Sequence, residues 1–133
     1  MGDLDVRRYE PADEAALFAL LEAEGDDWAE YHGPAGRERY AAALRGGPTY
    51  LIWDGAVVCG YARCREDDGF GVYVYDLLVH HSYRGLGLGR ALMERVCADA
   101  GDQTVYVMSD VDAYYEKLGY QRAGTIFVVA PGP

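Results

Sequence analysis

Val72-Tyr73-Val74-Tyr75-Asp76-Leu77-Leu78-Val79, followed four residues later by Arg84-Gly85-Leu86-Gly87-Leu88-Gly89-Arg90, is the stretch on which the fold turns. Its first part is rich in β-branched and aromatic residues and almost wholly apolar near its end, the pattern of a central strand covered on both faces. Asp76 is the one charge in it. The glycines then open a helix whose Leu88, Ala91, Leu92 and Val96 form one apolar stripe, closed by Gly101 as a left-handed cap. A glycine turn joining a strand to a helix aims several backbone N–H groups at one point, where an anion such as a diphosphate can sit. Arg84 and Arg90 would add charge-assisted donors. A Walker loop is excluded, since it needs Gly-Lys-Ser/Thr and the only lysine is Lys117. A dinucleotide fingerprint fails as well, because its third glycine would fall on Arg90.

Working outward, Leu4 to Tyr9 alternates apolar and charged residues and reads as a first strand. Glu10-Pro11 starts a helix to about Glu24 with Leu17, Leu20 and Leu21 on one face. Gly25 to Gly33 reads as an acidic and aromatic loop. Pro34 begins a second helix, carrying Tyr40, Ala43 and Leu44 and stopping at Gly46-Gly47-Pro48. Tyr50 to Trp53 and Val57 to Cys64 flank Asp54-Gly55, a hairpin turn in which both positions tolerate positive φ. Beyond Gly101, Thr104 to Met108 is a short strand, Ser109 and Asp112 have capping-box spacing for a helix ending at Gly119, and Tyr120 to Val129 supplies last-strand material before a Pro131-Gly132-Pro133 tail. The expected fold is α/β, with a mixed, mostly antiparallel central sheet of six to seven strands flanked by about four helices.

The chain's 133 residues suit a single domain, residues 1–133. No apolar run is long enough for a membrane span and Met1-Gly2-Asp3 lacks a signal pattern, so the expected location is the cytoplasm, away from membranes. A net charge of −10 disfavours nucleic acid. The charge is uneven: residues 1–33 carry ten acids against Arg7 and Arg8, whereas His80 to Arg95 holds Arg84, Arg90 and Arg95 against Glu94. Cys59 and Cys64 are five apart in a strand, a spacing that sends them to opposite faces, so neither a disulfide framework nor a metal site is expected.

The spacing Arg84-x-x-Gly87-x-Gly89 resembles the coenzyme A signature Gln/Arg-x-x-Gly-x-Gly/Ala of the GNAT family of acyl-CoA-dependent N-acetyltransferases. Tyr114-Tyr115-Glu116-Lys117-Leu118-Gly119-Tyr120, about 25 residues further on, is similar to that family's Phe/Tyr-Tyr-Glu-Lys-Leu-Gly-Phe/Tyr helix, and the element order is also similar. The resemblance implies splayed central strands and acetyl-CoA as acyl donor, with no metal. Backbone groups of Leu77, Leu78 and Val79 would pair with the pantetheine arm, and Arg84, Gly85, Leu86, Gly87, Leu88, Gly89 and Arg90 would hold the diphosphate. Tyr115 matches the position whose phenol protonates the departing thiolate. Asp76 is a candidate general base; the preceding position, often acidic in the family, is Tyr75. The family's frequent Asn is also missing, its neighbourhood here being Met108-Ser109-Asp110.

The implied reaction is transfer of an acetyl group to a primary amine by direct attack. Asp26-Asp27-Trp28 and Tyr31-His32 first read as a solvated loop over buried rings; read functionally, they join carboxylates to aromatic faces and point to a small cationic amine or a peptide end as acceptor. His80 and His81 are expected to diverge and to line the glycine loop. The alternative is a non-catalytic acyl-CoA-binding or sensor domain, with a nucleotide-binding module on the same anion cradle behind it. Edge strands near the C-terminus would suit a homodimer.

Overall fold

The computed structural model describes residues 4–133; Met1, Gly2 and Asp3 lie outside it. Five strands form one sheet in sequence order: β1 (Leu4–Arg8), β2 (Thr49–Asp54), β3 (Val57–Glu66), β4 (Val72–Val79) and β5 (Val105–Val107). The first three pairings are antiparallel and β4 with β5 is parallel. The helices are α1 (Glu14–Glu24), a single turn α2 (Ala29–His32), α3 (Arg37–Arg45), α4 (Leu88–Ala100) and α5 (Asp112–Lys117).

Two apolar layers hold the sheet. On one face Leu17, Phe18, Leu20 and Leu21 of α1 and Tyr40 and Leu44 of α3 bury against Leu51, Val58, Tyr61 and Leu78. On the other, Leu88, Leu92, Met93 and Val96 of α4 pack on Tyr50, Ile52, Ala62, Val72 and Val74. Leu17, Leu21 and Leu92 are fully covered, so truncating any of them to Ala should cost about 2–5 kcal/mol.

Several expectations are corrected. The sheet has five strands among the described residues, not six or seven. Tyr120 to Val129 joins no described strand; Tyr120 is half-buried against the α4-side core and the rest is exposed, Ile126 at 65% and Val128 at 98%. Strand propensity works only against a partner edge, and β5 is just three residues long. Gly25 to Gly33 is not a loop but two successive helical turns, Gly25–Trp28 and α2. The hairpin loop is Gly55-Ala56, since Asp54 still pairs with Val57. Gly55 takes φ +62° at the first central position, where a II′-type turn requires glycine.

Cys59 and Cys64 both lie in the α4-side core. The strand pairing shows why: Ile52 opposes Gly60 and Trp53 opposes Val58, leaving Cys59 as an extra, bulged residue. One inserted residue reverses the face of everything beyond it, so an odd separation becomes an even one. Both thiols are fully buried and Cys97 is exposed, and burial pushes Cys64 up to about 12. A thiol reagent should therefore modify Cys97 alone in the native protein and reach Cys59 and Cys64 only on unfolding. Mass spectrometry of the labelled chain, with and without denaturant, checks this.

Candidate active site

β4 and β5 pair only over Val72–Val74 and Val105–Val107, with Met108 N–H donating to Val74 O at 3.2 Å. β4 then runs on through Val79 along β3 alone. Backbone groups alternate in direction along a strand. His80 N–H donates to Cys59 O on β3 at 2.8 Å, so Leu78 also faces β3, whereas Leu77 and Val79 present their N–H and C=O groups to the side that β5 has left. Arg84 Nε reaches the Val79 carbonyl from that side at 3.0 Å. The two strands part at the residues that the family resemblance assigns to the pantetheine arm.

The glycine turn closes the far end of this opening. Gly85 has φ +81° and Gly87, which caps α4, has φ +78°. A Cβ at either would meet nothing within 4 Å. Glycine is therefore demanded by the left-handed backbone, and the space in front of the turn is open. Gly89 differs, since a Cβ there would run into the Tyr114 hydroxyl.

The three arginines of this region are not free cations. Arg84 Nη2 pairs with Glu24 Oε2 at 3.0 Å, Arg90 with Glu94 at 3.5 Å and Arg95 with Asp99 at 3.2 Å. The positive island read from the sequence is largely neutralised, which leaves the backbone N–H groups and the helix dipole as the main attraction for an anion. Arg84 also braces the loop between Glu24 and the end of β4. Sequence spacing gave no sign of Glu24, which lies 60 residues away.

A second bulge shapes the other side of β4. Arg63 opposes Asp76 and Cys64 opposes Val74, so Tyr75 is the extra residue. Tyr75 and Asp76 consequently share the face covered by α1 to α3, although they are consecutive. Asp76 is 8% exposed. Its Oδ2 accepts from Arg63 Nε and Tyr40 Oη, both at 2.6 Å, and the Tyr40 and Tyr61 hydroxyls lie 2.6 Å apart. Burial, then the neighbouring carboxylate, raises the Tyr40 phenol far above the tyrosine range. None of the described residues donates to Asp76 Oδ1. Beside this network is a cavity of about 310 Å³ bordered by Glu30, Tyr31, Arg39, Tyr40 and Arg63.

Tyr115 lies on α5, its ring 5.1 Å from Tyr114 and 6.2 Å from Tyr120. Burial pushes its phenol up to about 12. Tyr114, one residue earlier, is the tyrosine whose hydroxyl sits at the head of α4, beside Gly89. Sequence reasoning passed over it, and the alignment of Tyr114 with a glycine in the preceding helix is visible only in three dimensions.

Asp26 and Asp27 are exposed, whereas Trp28 and Tyr31 pack against the core under α1. His80 and His81 do not diverge: the chain turns into a short helical segment at His81–Tyr83, and the rings stack at 4.1 Å. Among the described residues no three His, Cys, Asp or Glu side chains form a metal-binding group. No described helix is long and apolar enough to cross a membrane.

Removing the Asp76 charge leaves Arg63 largely buried and unpaired. Asp76→Asn should therefore lower unfolding stability by about 2–3 kcal/mol. Asp76→Leu combined with Arg63→Met should recover most of that loss. Urea unfolding of Asp76→Leu, Arg63→Met and the pair gives the coupling.

The family model described as "Acetyltransferase (GNAT) domain" matches residues 45–122. The mycothiol acetyltransferase of Geodermatophilus obscurus is 34% identical over 137 residues, which cover 90% of this chain and 41% of that protein. An N-acetyltransferase of Porphyra purpurea is 33% identical over 66 residues, 46% of this chain and 38% of its own. The chain thus spans well under half the length of these curated relatives. Among solved structures, an aminoglycoside acetyltransferase from an uncultured soil metagenomic sample superposes with a TM-score of 0.76 over 98% of this chain and 99% of its own, at 24% identity, and shares the fold. With a family model matched over residues 45–122 and 34% identity across 90% of its length, on a sheet that opens between β4 and β5, this chain belongs to the GNAT acetyltransferase family.

Proposed function

We propose that the 133 residues form one catalytic domain that transfers an acetyl group from acetyl-CoA to a primary amine. The observation that carries this reading is the meeting of two features at one place. A strand edge with no neighbouring strand at Leu77 and Val79, where Arg84 Nε takes only the Val79 carbonyl, opens in front of a helix head built on Gly85 and Gly87. An extended amide chain can add to such an edge as a strand would, and a diphosphate suits bare N–H groups at a helix start. Leu86 is exposed on the turn, whereas Leu78 and Leu88 are buried in the layers on either side of the sheet, so only backbone, not side chain, is offered to the donor there. Arg84 and Arg90 would border the phosphate end.

When bound, acetyl-CoA supplies the acetyl group as a thioester. The outward N–H of Leu77 or Val79 would polarise the carbonyl under attack, because it is fixed before the reaction begins. Asp76 Oδ1 would take the proton that the amine sheds on forming the new C–N bond, with Arg63 and Tyr40 holding the other oxygen in place. Tyr115 would serve the sulfur as the C–S bond breaks. A phenol at about 12 lies about 3.5 units above an ordinary thiol. Full proton transfer from it is uphill, so its contribution is a hydrogen bond to the leaving sulfur, and the thiolate takes its proton from solvent on release.

A small cationic amine or a peptide end is the acceptor this reading favours. Glu30 borders the cavity, Asp76 lies behind its Tyr40 and Arg63 wall, and the acidic N-terminal quarter adds long-range attraction. The three free cysteines fit a reducing compartment, in line with a cytoplasmic enzyme.

Gly87→Val forces a β-branched residue into positive φ and should raise the acetyl-CoA Kd about tenfold or more, measured by calorimetry. Tyr115→Phe should leave that Kd unchanged and lower kcat by about 10²-fold. If Tyr114→Phe instead produced the larger loss, the donor role would pass to Tyr114. Equal binding with no turnover of any amine by the unaltered protein would favour the acyl-CoA sensor.

A further inference from the structure

β5 is the last strand of the sheet, and its outer edge has no neighbour among the described residues. Val72 N–H donates to Thr104 O at 2.9 Å and Met108 N–H to Val74 O at 3.2 Å, so Thr104, Tyr106 and Met108 turn their backbone toward β4. Val105 and Val107 therefore point their N–H and C=O groups outward, where no described group pairs with them. Val105 and Val107 pack on the α4-side core and Tyr106 stacks on Tyr73 at 4.9 Å, so both faces of this edge are apolar or aromatic. Edge strands are ordinarily protected by a lysine, a proline or an inward charge. Gln103 to Ser109 contains none of these.

The end of the described chain has the complementary lack. Thr125-Ile126-Phe127-Val128-Val129-Ala130 is built almost wholly of β-branched and aromatic residues, yet Phe127 is 81% and Val129 87% exposed. Arg122 still holds the chain to α5 through Asp112 at 2.7 Å. From Ala123 onward no hydrogen bond to another described residue is made.

We infer that two copies of this chain exchange these segments, Thr125–Ala130 of each adding as a further strand to the β5 edge of the other. Three observations select a second copy as the occupant. Every copy carries both the open edge and the unpaired strand, so one two-fold exchange satisfies all four elements at once. Neither element contributes a charged side chain: none lies between Asp102 and Asp110 or after Arg122, so two molecules of net charge −10 can meet there without facing like charges. The patterns also match. In an added strand Ile126 and Val128 fall on one face and Phe127 and Val129 on the other, which suits an edge that is apolar on one side at Val105 and Val107 and aromatic on the other at Tyr106. Pro131 follows directly and cannot donate to a ladder, which ends the added strand at Ala130. This assembly stands independently of the acetyl-transfer chemistry, although β5 borders the opening and the added strand would back that wall.

Sedimentation equilibrium of the unaltered chain should give twice the mass of one copy. Phe127→Lys puts a charge into the added strand at a position that supports nothing within a single copy, and should raise the dimer dissociation constant about tenfold or more, whereas Phe127→Leu should change it by less than about threefold. In an equal mixture of copies labelled with different isotopes, NMR contacts should join the Val105 and Val107 amides of one copy to the methyl groups of Ile126, Val128 and Val129 of the other. A single-copy mass at every concentration overturns the inference. So does a dimer that Phe127→Lys leaves intact, which would place the interface elsewhere. Contacts between β5 and Thr125–Ala130 that arise only within one copy overturn it too, and would make the segment the chain's own edge strand.

Discussion

The structure depends on a pairing that stops early. Parallel strands β4 and β5 exchange hydrogen bonds over three residues and then separate, while β4 remains zipped to β3 through Val79. Backbone N–H and C=O groups in a sheet interior are costly to leave unmatched, so a parted pair is a built demand for something that can supply donors and acceptors. The bulge at Tyr75 falls at the same level as the parting. It turns β4, and it also brings Tyr75 and Asp76 onto one face. The opening and the shared face of Tyr75 and Asp76 thus meet at one local irregularity in one strand.

Electrostatics around the opening is arranged by short-range pairing more than by net charge. The protein carries −10 overall, and the arginines near the glycine turn are matched one by one with Glu24, Glu94 and Asp99. What remains for an anion is oriented backbone, which has no side-chain entropy to lose and no counterion to shed. On the other face the same logic holds Asp76: two donors converge on one of its oxygens. That arrangement rigidifies the carboxylate and leaves its second oxygen without a donor among the described residues.

Much of this was legible in the sequence, for physical reasons. The run Val72–Val79 and the glycines after it announce a buried strand and a helix head through composition alone, and α4 lies where its apolar stripe predicts. The bulges were not legible. A strand's face assignment relies on a strict period of two, and one extra residue at Cys59 and another at Tyr75 broke that count, reversing the expected placement of the cysteines and putting Tyr75 beside Asp76. Long-range ion pairs such as Arg84 with Glu24 leave no local trace. Tyr120 to Val129 failed in the opposite way, since its propensity is that of a strand but no described edge receives it.

The central claim is that the edge of β4 beyond Val74 receives the amide chain of acetyl-CoA. Amide hydrogen exchange at Leu77 and Val79, followed with and without acetyl-CoA, tests it most directly. The account predicts marked slowing at these two amides on binding, with Leu78, already turned toward β3, little changed. Bound acetyl-CoA with exchange at Leu77 and Val79 unaltered would contradict it.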